Sequence, residues 1–128
     1  MIAELDNYLE RIEDLRGQIS GLLADLPAEA LNWRPIEGRD DHVTNSLAVL
    51  TAHLAGAEHF WIAEVIGGRP ATRDRDAEFA VVAATPAELL QLLEKISQET
   101  KEVLFGLVSH NVIFMRNYLN LLTICSSY

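Results

Sequence analysis

An all-α fold, an antiparallel bundle of four helices, is what this sequence predicts, and three observations predict it. Apolar residues recur at spacings of three and four along successive stretches, the pattern of helices with one face turned to a core. No stretch alternates apolar and polar residues between turn signals, so no strand competes. A long polar connection separates the second and third stretches, which in a bundle lets those two helices run parallel. The 128 residues make one domain, residues 1–128, large enough to bury a core without disulfides or a structural metal.

The first helix is predicted from Ile2, Leu5, Leu9, Ile12, Leu15, Ile19, Leu22 and Leu26, with charges between them and Pro27 at its end. Gly17 and Gly21 lower its intrinsic propensity, so it needs tertiary packing to persist. Residues 27–31 can form one turn opened by Pro27, and residues 32–35 run extended because Arg34 precedes a proline. Residues 36–44 are polar, contain Gly38, and read as a loop leading to a cap at Thr44 or Asn45. The second helix follows over residues 45–67. Leu47, Leu50, Leu54, Ala57, Trp61 and Val65 form its apolar stripe, and Gly67-Gly68 supplies a left-handed stop.

Residues 69–84 form the long connection, with Phe79, Val81 and Val82 as its apolar anchors. Thr85-Pro86-Ala87-Glu88 then opens the third helix: Thr caps, Pro takes the first helical position, and Glu closes a capping box. Leu89, Leu92, Leu93, Ile96, Val103 and Leu104 continue it. From Val103 to Tyr128 the chain has no Ala, Asp or Glu, and Arg116 is its only Lys or Arg. This compositional break reads as an atypical end on an otherwise ordinary domain. Residues 113–124 still have the periodicity of a fourth helix, atypical or shortened, whose apolar surface drives self-association if the monomer does not bury it.

A net charge of −9, with 10 basic residues scattered among 19 acids, argues against nucleic acid and against an acidic membrane surface as partners. The single cysteine, Cys125, cannot form an internal disulfide and suits a reducing cytoplasm. The N-terminal stretch is amphipathic and acidic, unlike a signal peptide, and the most apolar run, residues 112–124, is too short to span a bilayer. A soluble cytoplasmic protein is expected.

His53 lies at the edge of the apolar stripe of the second helix, on a face with Val49, Leu50, Ala57 and Phe60. An imidazole there must be hydrogen-bonded, paired as a cation, or bound to a metal. His59 falls off that face and is expected in solvent, and His42 precedes the helix. Glu58 and Glu64 read as solvated surface acids, Cys125 as a small hydrophobe, and Trp33 and Trp61 as core or interface anchors. Neither a nucleophile elbow nor a phosphate-binding glycine loop is present in the sequence.

The run Leu26-Pro27-Ala28-Glu29-Ala30-Leu31-Asn32-Trp33-Arg34-Pro35 is followed by Asn45-Ser46-Leu47, Ala52-His53-Leu54-Ala55, Phe60-Trp61-Ile62 and Gly67-Gly68. With Thr85-Pro86-Ala87-Glu88-Leu89-Leu90, these segments resemble in order and spacing the DinB-like (damage-inducible) superfamily, over roughly residues 1–102. The resemblance implies a four-helix bundle with a long connection between helices two and three, commonly dimeric. It also implies a divalent metal such as Zn or Ni held by three histidines, and, in members with assigned roles, transfer or isomerisation chemistry with small-molecule thiols. One of those histidines corresponds to His53. The other two form an H-x-x-x-H pair on the fourth helix, and this chain has none: His110 takes the first place and Phe114 stands at the second. Two readings follow. In one, the protein is a self-associating derivative, a homodimer with an incomplete metal site. In the other, it is a metal-dependent thiol transferase or hydrolase with His53, and at most His110, as ligands.

Overall fold

The computed structural model describes residues 3–35 and 44–125, with the side chains of the last helix described as far as Ser109. Among the described residues the chain is all-helical: α1 (Ala3–Leu23), the short α2 (Ala28–Asn32), α3 (Leu47–Glu58) continued by a π-helical segment (His59–Ile66), the short α4 (Arg75–Phe79) and α5 (Pro86–Cys125). No described helix is long and apolar enough to cross a membrane.

The expected boundaries are largely those observed. Pro27 follows α1 and precedes α2, and Trp33 is extended. The N-cap of α3 is Ser46, one residue beyond the expected site, with its hydroxyl accepting from Val49 N at 3.1 Å. At the far end Gly68 adopts φ +65°, the left-handed stop anticipated from the glycine pair. Gly67 is required for a different reason: a Cβ there would lie 2.7 Å from Ala63 O and 3.0 Å from Val103 Cγ1 of α5. At the start of α5, Glu88 reaches back to Ala84 N at 3.2 Å, one residue before the predicted cap. Most of the loop expected at 36–44 lies outside the described residues.

Two sequence expectations are corrected. A separate fourth helix over 113–124 is not formed: α5 runs unbroken through 40 residues, about 60 Å at the helical rise, against 21 residues for α1. The stretch has no proline, and the lone Gly106 costs only about 1 kcal/mol of helix propensity, too little to turn the chain. The second correction concerns which face of α3 is buried. Leu47, Leu50 and Leu54 are 42%, 50% and 42% exposed, and Trp61 and Val65 are exposed too, whereas Ala48, Val49, Ala52, Ala55 and Ala63 are buried. Small side chains let α3 approach α5 closely, and among the described residues no helix covers the leucines on its other side, which border a groove beside α1.

α1 and α3 both pack on α5, which forms the spine of the fold. The main apolar cluster lies at one end, where Leu23, Leu31, Ala48, Ala83, Leu89 and Leu93 meet. Asn32 locks that end. Its side-chain amide donates to Ala83 O at 2.7 Å and Ala28 O at 2.9 Å, and accepts from Ala83 N at 2.9 Å. Higher up, the α1–α5 and α3–α5 contacts become polar. Arg16, 7% exposed, pairs with both Glu13 and Glu58, while Ser97 donates to Glu13 at 2.9 Å and Thr100 to Glu58 at 2.6 Å. Arg16 Nε is buried without a hydrogen-bond partner among the described residues. Burial pushes the Glu13 carboxyl up, but Arg16, Ser97 and Lys101 outweigh it and hold the group below its ordinary value.

Candidate functional site

His53 on α3 and His59 on its π continuation each meet a carboxylate. His53 Nδ1 lies 3.0 Å from Glu78 Oε1, and its ring stacks at a tilt 5.5 Å from Phe79, both on α4. Glu78 is buried and also receives a two-point contact from Arg73, Nε to Oε2 at 2.8 Å and Nη2 to Oε1 at 2.9 Å. Burial alone raises the Glu78 carboxyl; the hydrogen bonds and charge of Arg73, helped by His53, overcome it and hold the group below the usual carboxylate range. The Arg73 guanidinium is correspondingly raised by its bond to Glu78, against the opposing effect of burial. Gly56 makes room for this carboxylate, because a Cβ there would overlap it.

Six residues beyond His53, His59 is held from both sides. Nδ1 is 2.7 Å from Glu99 on α5, and Nε2 is 2.9 Å from Glu64 and 2.9 Å from Thr72 Oγ1. Glu64 also accepts from the backbone of Thr72 at 3.3 Å and Arg73 at 3.0 Å, fastening the start of the connection to the π segment. Arg69 closes the group against Glu99 at 3.5 Å and Glu102 at 3.1 Å.

These positions correct three expectations. His59 is not in solvent but 18% exposed, and Glu64 and Glu58 are not surface acids, at 7% and 15%. The reason for the first two is the π-helical register. In an α-helix, residues five apart point about 140° away from each other; where hydrogen bonds run from i to i+5, His59 and Glu64 come onto one face. Glu58 is half-buried because Arg16 reaches it from α1. Trp33 and Trp61, at 63% and 60% exposure, are not core residues.

The structure brings His53 to Glu78 and His59 to Glu64 and Glu99, but it does not bring the two histidines to one point. Among the described residues no three His, Cys, Asp or Glu side chains converge so as to hold a metal ion. A carboxylate on Nδ1 is the arrangement that orients a ligating histidine, and a cavity of about 370 Å³ opens beside His53 between Val49, Leu50, Phe79 and Arg75. Asn45 also lines it, but no second described His, Cys, Asp or Glu does, so the described residues do not fit a three-histidine metal. His42, the His110 side chain and the Cys125 side chain lie outside the described residues.

A second candidate surface is apolar. α1 and α3 leave a groove of about 470 Å³ between them, lined by Ile19, Leu22, Leu23 and Leu26 on one side and Leu47, Leu50, Thr51 and Leu54 on the other. Leu22, at its edge, is 75% exposed.

A family model described as the DinB superfamily matches residues 11–111. The chain belongs to the DinB superfamily. No curated protein and no solved structure gave a match. The matched span takes in all of α3 and its π segment, α4 and the part of α5 that carries Glu99, so the histidine–carboxylate pairs lie within the DinB region. Glu78, Arg73 and Glu99 were not singled out from the sequence. Their partners stand 25, five and 40 residues away, and no local motif announces such pairings.

Proposed function

We propose that this protein is a self-associating DinB-superfamily module whose metal site is incomplete, a binding and assembly unit more than a metalloenzyme. One observation carries the reading: the leucine stripe of α3 and the adjoining edge of α1 are exposed together around an apolar groove. A monomeric protein rarely leaves such a continuous apolar strip in water. A second copy of the chain is the occupant that suits it. Pairing the same strip across a two-fold axis buries leucine against leucine, and sets α1 and α3 of each chain into a shared four-helix arrangement. The continuous α5 favours this, since within the described residues it supplies no helix returning to cover the groove. The missing H-x-x-x-H and the absence of converging ligands among the described residues support the incomplete site.

The test is sedimentation equilibrium on the wild-type protein and on Leu50→Glu and Leu54→Glu, each with helicity checked by circular dichroism. The expected result is a micromolar or tighter dimer that becomes a folded monomer in either variant. A wild-type monomer at those concentrations, or a dimer indifferent to both changes, overturns the proposal. Metal content decides the other half. Protein purified without chelator is expected to carry far less than one Zn, Ni, Mn or Fe per chain. Near-stoichiometric metal that disappears in His53→Ala would replace this reading with metal-dependent thiol transfer or hydrolysis, His53 being a ligand and His110 or a partner chain the next ligands to test.

A further inference from the structure

A second cavity, of about 450 Å³, lies on the opposite side of α3 from the leucine groove, between α3, the long connection and α5. Its apolar part is made by Ala52, Ala55, Val81, Leu92 and Ile96. The space exists because α3 presents only small side chains there, while α4 is held off by the Glu78 carboxylate seated over Gly56. The volume is in the range of small-molecule sites, which combine an apolar lining with a few polar groups that fix orientation.

Most charges in its wall are already compensated. Arg73 and Glu78 neutralise each other, and Glu99 is engaged by His59 and Arg69. Two charged lining residues are not. Lys95 on α5 is exposed and has no ion-pair or hydrogen-bond partner among the described residues. Asp74 uses one oxygen to cap α4, accepting from Ala77 N at 3.0 Å, and has no ion-pair partner among the described residues. The rim of the cavity therefore carries one cation and one anion, both exposed, beside an apolar floor. A ligand carrying a single charge would satisfy one and face the other, whereas a net-neutral zwitterion meets both and is not repelled by the protein's overall charge of −9.

We propose that this cavity binds a small zwitterion with an apolar body, of the class of the free branched-chain and aromatic amino acids, with its carboxylate at Lys95, its ammonium at Asp74 and its side chain on the alanine, valine, leucine and isoleucine floor. Burial of that side chain supplies affinity, and the two charges supply orientation.

The experiment is titration of the full chain with L-leucine and L-phenylalanine, followed by amide chemical shifts and calorimetry. 4-Methylpentanoate and isopentylamine, which lack one charge each, serve as comparators. Saturable binding in the millimolar range or tighter is expected, with shifts at Ala52, Ala77 and Ile96. Lys95→Glu should weaken it by about tenfold or more, the loss expected for one charge-assisted contact turned repulsive. Asp74→Asn keeps the helix cap and removes the charge, so it should weaken the amino acids while leaving 4-methylpentanoate unchanged or tighter. Ala77→Trp, at an exposed position on the cavity wall, should block binding without unfolding the protein, and Glu29→Gln, exposed on α2 away from the cavity, should leave it intact. Absence of saturable shifts up to the solubility of either amino acid overturns the proposal. So does equal binding of the comparators, or binding that Ala77→Trp does not reduce.

Discussion

Gly56→Ala is the substitution that most directly questions the geometry around Glu78. In an ordinary helix interior it would stabilise by about 1 kcal/mol, because alanine is the better helix former. Here the new Cβ would lie 2.5 Å from Glu78 Cδ and overlap the carboxylate, so the carboxylate must leave. The end of a glutamate usually moves cheaply. This one is fixed by two hydrogen bonds from Arg73 and one contact from His53, and it is 9% exposed. Separating a buried charge pair costs about 3–5 kcal/mol. Setting the propensity gain against it leaves a net destabilisation of about 2–4 kcal/mol. For a chain of this size that lowers the melting temperature by about 10 °C, read by circular dichroism. The decisive comparison is a double-mutant cycle with Glu78→Ala. With the carboxylate gone, Gly56→Ala should become neutral or stabilising. If it destabilises both backgrounds equally, or stabilises the wild type, the account of Gly56 as the seat of Glu78 is wrong.

Three further outcomes rest on the same kind of buried polar contact. Arg16→Met strands the half-buried Glu58 and should cost about 3 kcal/mol in urea denaturation, most of it recovered by adding Glu58→Leu, because the other partner, Glu13, is more exposed and keeps Ser97 and Lys101. Asn32→Ala removes two hydrogen bonds to Ala83 at the end of the connection and one to Ala28 within α2, at about 1 kcal/mol each, and should lower the urea midpoint without changing the denaturant slope. Glu78 is held below its ordinary value of 4.5, so its ion pair contributes stability that is present above that pH and is lost as pH falls through the depressed folded value. Urea midpoints taken from pH 7 downward should therefore fall more steeply below pH 4.5 for wild type than for Glu78→Gln, with Glu13 supplying a residual slope in both. A Glu78→Gln curve parallel to wild type throughout would rule that linkage out.

Two of the corrected features concern which side of a helix meets its neighbours. α3 is apolar on nearly every side, so periodicity marks it as a helix but cannot say which side is buried; its leucines were the larger signal, and its alanines met the neighbour. His59 and Glu64 are separated by a spacing that an α-helix splays apart, and only the π register reunites them. The unbroken α5 is a different case. Its continuity was legible in the absence of proline or a turn cluster between residues 103 and 125, and a shift in composition is not a break in the backbone.

What the sequence determined by itself is local: three long helical stretches, the stop at Gly67-Gly68, the start at Thr85-Pro86, the extended residues before Pro35, and enough ordered motif to place the chain in its superfamily. Those features follow from backbone dihedrals and hydrogen bonds among residues a few positions apart. Only the tertiary structure decided that the leucine stripe of α3 faces outward, that Glu78 sits over Gly56 between Arg73 and His53, and that His59 is clamped to α5. Each of those outcomes depends on how closely two helices distant in the chain approach, and closeness is set by side-chain size at the contact, a property of pairs that no single stretch contains.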